Sequence, residues 1–209
     1  MTAGGVVHGR PAIFLDRDGV LNEPVWRGED GLHESPLSPE DVELVPRAAE
    51  AIRLAQDAGW ALVIVSNQPA AAKGTVPLEQ LRSVHAEVLR QLAAEGARLD
   101  GVYVCWHHPD GSVPELTASC ECRKPRPGLL LTAASELGLD LASSWLVGDT
   151  DADVGAARNA DLAGIALVRN PRSAHRRGSV SEDADLSTAD TFGAISAILD
   201  RHDAAAPRR

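Results

Sequence analysis

Five short apolar runs constrain this chain more than any other feature, and four of them end on reactive polar groups. They are PAIFLD (11–16), WALVIVSNQ (60–68), GVYVC (101–105), SSWLVGD (143–149) and GIALVRN (164–170). Each is short, apolar and closed by a turn signal, which predicts a buried strand. Helical periodicity fills the gaps and predicts helices over 45–60, 77–96, 126–139 and 151–160, then a brief strand and a last helix after residue 185. In the first of these helices Ala48, Ile52, Leu54 and Ala55 fall on one face; Pro77 suits the first turn of the second and Gly96 ends it. Strand–helix alternation of this kind predicts an α/β fold with a mostly parallel sheet covered on both faces. Ligands of such folds sit beyond the carboxyl ends of the strands. The groups found there are Asp16 and Asp18, Ser66 and Asn67, Cys105 and His107, and Gly148 and Asp149. The stretches 23–45 and 106–126 have no clear period and read as loops, and RSAHRRGSVSEDAD (172–185) reads as a charged, solvated loop.

At 209 residues and 44% hydrophobic the chain can bury one sizeable core, and with 3% aromatics that core must be built from Leu, Val, Ile and Ala. Neither an internal repeat nor a low-complexity linker is visible. One domain over 1–209 is therefore expected, with a frayed tail over 203–209. No apolar stretch approaches the roughly 20 residues of a membrane span, and MTAGGVVHGRP has no apolar signal core, so a soluble cytoplasmic protein is expected. A monomer is expected too, because no large amphipathic face is left over. The net charge of -10 argues against nucleic acid as the partner, since that affinity needs clustered Lys and Arg. It leaves room for a small anionic substrate if a few cations converge or a metal bridges the charge.

Asp16 and Asp18 stand two residues apart after a strand, so both carboxylates can face one pocket. Two anions that close repel unless a cation lies between them or one is protonated. Oxygen donors of this kind suit Mg²⁺, which commonly takes one or two carboxylates and fills its shell with water and phosphate oxygens. The three cysteines, Cys105, Cys120 and Cys122, fall within 18 residues beside His107 and His108. An odd, clustered set predicts a metal site rather than a disulfide framework. Three thiolates and one imidazole close a tetrahedron around structural Zn²⁺ and leave no position for water. Such a staple over 105–122 would hold Arg123 and Lys124, which follow directly.

In order along the chain, FLDRDGVLN, VIVSNQ, CRKP and LVGDTDAD resemble the four motifs of the haloacid dehalogenase superfamily of phosphohydrolases, jointly covering residues 12 to 170. The resemblance implies a Rossmann-like three-layer α/β/α fold with a zinc-stapled loop insert. It implies Asp16 as the nucleophile that forms an aspartyl phosphate, and Asp18 as the acid that protonates the leaving oxygen and then deprotonates water. That role asks the pKa of Asp18 to rise from about 3.9 to about 6. Ser66 and Asn67 would bind the phosphoryl oxygens and Lys124 would neutralise charge spread over them. Mg²⁺ would be held by Asp16, Asp18 and Asp149, the second Asp through its backbone carbonyl, with Asp153 behind. Zn²⁺ would be held by Cys105, His107, Cys120 and Cys122, leaving His108 to a local hydrogen bond or the pocket rim.

Zinc-loop members of the superfamily resemble either the D-glycero-D-manno-heptose 1,7-bisphosphate 7-phosphatases or the histidinol-phosphate phosphatases. The string CWHHPDGSVPE…CECRKPRPG resembles the heptose group, whose metal loop is long. That implies a sugar bisphosphate substrate, with Arg123 contacting the phosphate that is kept or its sugar. Departures from the family pattern border the substrate: PAAAKG (69–74) in place of an SGIARG-like run, Thr150 in place of a basic residue, and a longer loop from Glu23 to Pro39. A longer sugar such as an octose 1,8-bisphosphate fits an enlarged entrance. The alternatives are a histidinol-phosphate phosphatase or a broader phosphomonoesterase. A catalytically idle binding module would have lost Asp16, Asp18, Lys124 or Asp149, and a nucleic-acid end-processing enzyme would be more basic.

Overall fold

The computed structural model describes residues 9–27 and 31–205. Six strands, β1 (Ala12–Leu15), β4 (Ala61–Asn67), β5 (Gly101–Cys105), β6 (Trp145–Gly148), β7 (Gly164–Val168) and β8 (Leu186–Thr188), form one sheet in the order β5-β4-β1-β6-β7-β8. Every pairing in it is parallel, as the alternating pattern predicts. The period-2 alternation of the strands divides the core in two. Ile13, Leu15, Leu62, Ile64 and Val147 face α1 (Ala48–Asp57), α2 (Leu78–Ala94) and α5 (Thr191–Ala205). Phe14, Val63, Val65, Leu146 and Ile165 face α3 (Gly128–Leu137) and α4 (Asp151–Asn159). Because both faces of each strand are buried, the strands read as continuous apolar runs. β1 sits in mid-sheet and the chain winds outward from it on both sides, first through β4 and then through β6. The crevice at the carboxyl ends therefore opens where the winding changes direction.

Three expectations are corrected. Residues 23–45 are not one loop: β2 (Val25–Arg27) and β3 (Leu32–Glu34) pair antiparallel, and a short 3-10 turn follows at Pro39–Asp41. Strands of three residues are too short to show a period, but Trp26 and His33 meet edge to face at 5.1 Å and Gly31 takes a φ of +65° beside them. Leu54 does not share the buried face of α1; it is 36% exposed, and Ala48, Ala49, Ala51, Ile52 and Ala55 are the buried positions. The segment 172–185 is not simply solvated. It folds into 3-10 turns at Pro171–Arg176 and Ser179–Asp183 that bury Ser173 and Ser181. The Asp151 carboxylate anchors it by accepting from the Gly178 and Ser181 amides, both at 2.9 Å, and from the Ser181 hydroxyl. The leader expectation rests partly on residues 1–8, outside the described residues. The expected tail falls partly on the end of α5, and 206–209 lie outside them as well. No described helix is long and apolar enough to cross a membrane.

Candidate active site

Asp16 is the first residue past β1 and its amide still donates to Val147 O at 2.9 Å, so the carboxylate leaves the sheet with the register of the ladder. One oxygen meets Lys124 Nζ at 2.9 Å. That ammonium is 4% exposed and also donates to Asp153 Oδ1 at 2.6 Å and to Val65 O at 2.8 Å. Asn67 places the lysine from the end of β4. Its side-chain oxygen accepts from the Lys124 amide at 3.1 Å, and its side-chain nitrogen donates to Lys124 O at 3.0 Å. Burial alone would discharge Lys124, but Asp153 and Asp16 outweigh it and keep the ammonium charged.

Asp153 is fully used. Its second oxygen accepts from Thr150 Oγ1 at 2.6 Å and the Thr150 amide at 3.1 Å, the capping box that starts α4. Asp149 is the opposite case: both its oxygens are buried and no described group donates to either. Gly19, at a φ of +88°, lets the backbone come this close, because a Cβ there would stand 2.0 Å from Asp149 Oδ2.

The oxygens of Asp16, Asp149 and Asp153 lie within 4.8 Å of one another. Burial, then the neighbouring Asp16 and Asp153, push Asp149 well above its ordinary value. Burial raises Asp16 to about 6, with Lys124 offsetting part of the rise and Asp153 and Asp18 adding to it. Three converging acids against one ammonium, with two orphaned buried oxygens, suit a hard divalent cation held by oxygen.

Asp18 is held differently. Its carboxylate is outside that trio and is saturated by donors. Oδ1 accepts from Arg17 Nε at 3.0 Å, Arg17 Nη2 at 2.9 Å and Asn22 Nδ2 at 2.9 Å. Oδ2 accepts from Gln68 Nε2 at 2.7 Å, Ser35 Oγ at 2.7 Å and Arg17 Nη2 at 3.1 Å. Burial would raise its pKa, but Arg17, Gln68, Ser35 and Asn22 prevail and hold it at about 2. In the absence of substrate the residue is a carboxylate, not the acid with raised pKa that the sequence reading expects. An incoming phosphate would add the negative charge that these donors now cancel. Sequence reasoning missed Arg17, Asn22, Ser35 and Gln68. The one available signal was a charged residue, Arg17, set between two aspartates at the end of a buried strand, which had to find a partner.

Asp16, Asp18, Asn67, Arg123 and Lys124 line one cavity of about 970 Å³. Ser66 is 1% exposed and is not part of its wall; its hydroxyl oxygen accepts from Gln68 Nε2 at 3.0 Å. Trp26, Glu34 and Ser35 of the hairpin region, and Arg176 from the 3-10 segment, form further walls. The cations Arg27 and Arg176 are paired with Asp41 at 3.4 Å and Glu34 at 2.8 Å. Lys73 and Arg123 also line the cavity and have no carboxylate partner among the described residues. Thr150, where the family pattern has a base, lies on the wall as well.

The second cluster hangs from the end of β5. Cys122 Sγ is 3.2 Å from Cys105 Sγ, 3.1 Å from Cys120 Sγ and 3.5 Å from His107 Nδ1. All four donor atoms lie within 4.8 Å of one another. A tetrahedron with bonds of about 2.3 Å has edges of about 3.8 Å, so the donor set suits Zn²⁺. His108 turns elsewhere: its Nδ1 accepts from the Asp110 amide at 3.1 Å. The loop also grips the 69–74 turn, where Ala72 O accepts from the Ser112 and Val113 amides at 2.7 and 3.1 Å.

A parallel sheet with an aspartate pair after its first strand, a buried lysine clasped to its second and a metal-suited acid after its fourth is the layout of a HAD-type phosphoric monoester hydrolase. The HAD-hydrolase-like family model matches residues 121–195. The D-glycero-beta-D-manno-heptose-1,7-bisphosphate 7-phosphatase of Yersinia pestis is 42% identical over 188 residues, 90% of this chain and 96% of that one. The protein of that name from Escherichia coli K12 is 41% identical over 159 residues, 76% of this chain and 79% of its own. The structure of D,D-heptose 1,7-bisphosphate phosphatase from B. bronchiseptica, complexed with magnesium and phosphate, superposes with a TM-score of 0.73 at 28% identity, covering 91% and 99% of the two chains. The chain belongs to the HAD-like hydrolases, in the family of the heptose-1,7-bisphosphate 7-phosphatases. It is a phosphatase.

Proposed function

We propose that the enzyme hydrolyses one phosphate ester of a sugar bisphosphate, D-glycero-D-manno-heptose 1,7-bisphosphate losing its 7-phosphate. Asp16 attacks phosphorus and forms the acyl phosphate as the bond to the sugar oxygen breaks, and Asp18 gives its proton to that oxygen. Water then attacks phosphorus, passes a proton to Asp18, and the Asp16–phosphorus bond breaks to release inorganic phosphate. Asp18 takes up a proton as the anionic substrate binds, gives it in the first step, regains it in the second and releases it as phosphate leaves, so protons and charge balance. Lys124 faces the phosphoryl group and the Asn67 amide holds its oxygens; the Ser66 hydroxyl, buried behind the wall against Gln68, would join them only by turning into the cavity. A Mg²⁺ held by Asp16, Asp149 and the Asp18 backbone carbonyl would neutralise those oxygens. Zn²⁺ held by Cys105, His107, Cys120 and Cys122 would fix the loop and take no part in chemistry.

The observation that carries the substrate is the pair of cations, Lys73 and Arg123, that line the same cavity as Asp16 without a carboxylate partner among the described residues, in a chain of net charge -10. A second phosphate suits them, and the ammonium of histidinol phosphate does not. A longer bisphosphate such as an octose 1,8-bisphosphate offers the same two phosphates. We take the enzyme to act as a one-domain monomer in the cytoplasm, with no nucleic acid or membrane partner. Parallel phosphate-release assays test the reading, with the heptose bisphosphate expected to exceed histidinol phosphate at least tenfold in kcat/KM. A preference for histidinol phosphate would end it. Asp16→Asn should abolish turnover and acyl-phosphate trapping; full activity, with deamidation excluded by mass, would remove the nucleophile.

A further inference from the structure

Resting on that reading, we propose that Arg17 and Gln68 are positioning residues that aim the Asp18 carboxyl at the leaving oxygen. Arg17 is 0% exposed, yet it lies between two residues of the reactive centre and ion-pairs only with Asp18 among the described residues. Its Nε and Nη2 form a fork on the carboxylate, and Nη2 continues to Gln68 Oε1 at 2.9 Å. Gln68 has its amide oriented by that contact, and its nitrogen then reaches both Asp18 Oδ2 at 2.7 Å and Ser66 Oγ at 3.0 Å. One buried guanidinium thus fixes the carboxyl that moves the proton relative to the hydroxyl assigned to the phosphate. A buried ion pair is weak evidence for stability, since apolar residues of similar volume often serve a core as well. This pair is better explained by direction. Arg17 Nη1 is buried with no partner, so every satisfied nitrogen of the side chain serves this network.

A loss of aim has a signature that a loss of packing lacks. An alkyl leaving group needs its oxygen protonated as the bond to phosphorus breaks, whereas a p-nitrophenolate leaves without help. The ratio kcat/KM reports steps up to departure of that group, so it is blind to the later attack by water. The test compares Arg17→Met, Arg17→Lys and Gln68→Met on p-nitrophenyl phosphate and on whichever alkyl phosphate the wild type turns over. A wild type that ignores sugar bisphosphates but hydrolyses another alkyl phosphate would overturn the substrate reading and leave this test intact. General acid catalysis is typically worth about 100-fold or more. Arg17→Met is expected to lose about that much on the alkyl ester and at least tenfold less on the aryl ester, with Gln68→Met following the same pattern more weakly. Equal losses on both esters in all soluble variants with a cooperative melt would overturn the proposal, as would an alkyl kcat/KM that does not fall. Should Arg17→Met fail to fold, Arg17→Lys and Gln68→Met decide by the same ratio.

Discussion

At the residue scale, two kinds of charge share one cavity. Asp16, Lys124 and Asp153 form a chain of contacts at 2.9 and 2.6 Å, whereas Lys73 and Arg123 have no carboxylate partner among the described residues. Losing a charged partner to a phosphate is worth about 1.5–3 kcal/mol. Lys73→Met should therefore raise KM for a bisphosphate about tenfold or more and change KM for a monophosphate much less. Initial rates on the two esters check it, and equal changes would move the second phosphate elsewhere in the cavity. The aspartates, Lys124 and the cysteines were legible because each sits at a fixed offset from an apolar run. Arg17 and Gln68 were not, because a hydrogen bond between residues 51 apart leaves no period in a sequence. The low resting pKa of Asp18 was not legible for the same reason: it is set by donors from three separate segments.

At the scale of elements, the strands and helices were read within a few residues because burial imposes their period. The hairpin of β2 and β3 was not, because its strands are three residues long and its side-chain anchors, Trp26 on His33 at 5.1 Å and Glu34 with Arg176 at 2.8 Å, leave no period. The cysteine loop makes the clearest prediction. It carries Arg123 and holds the 69–74 turn through Ala72 O, so a Zn²⁺ bound there would support Lys73 and Arg123 at once. Cys122→Ser is expected to lower zinc content to well under one per chain by elemental analysis and to lower Tm. It should also raise KM for the bisphosphate by more than it lowers kcat. Unchanged zinc stoichiometry in that variant would show that the thiolates are not the ligands.

At the scale of the whole molecule, the reactive groups leave β1, β4, β6, α4 and the cysteine loop yet meet at the carboxyl ends of the strands. A cation that binds only the folded state at this junction stabilises all of it: at 100 times its Kd the gain is about 2.7 kcal/mol. Mg²⁺ should accordingly raise Tm by several degrees, and Asp149→Ala should abolish that rise in a scanning calorimeter. A full rise in the variant would place the ion elsewhere. The clasp between Asn67 and Lys124 has a wider bearing. The carboxamide of Asn67 offers Lys124 one acceptor and one donor, as the backbone of a neighbouring strand would. The lysine is thereby docked as an added rung on β4, although fourteen residues of loop separate Cys105 from Cys120 just before it. Insertions and deletions in that loop can then accumulate over generations without displacing the ammonium. The clasp leaves substrate choice free to drift while the reaction stays in place.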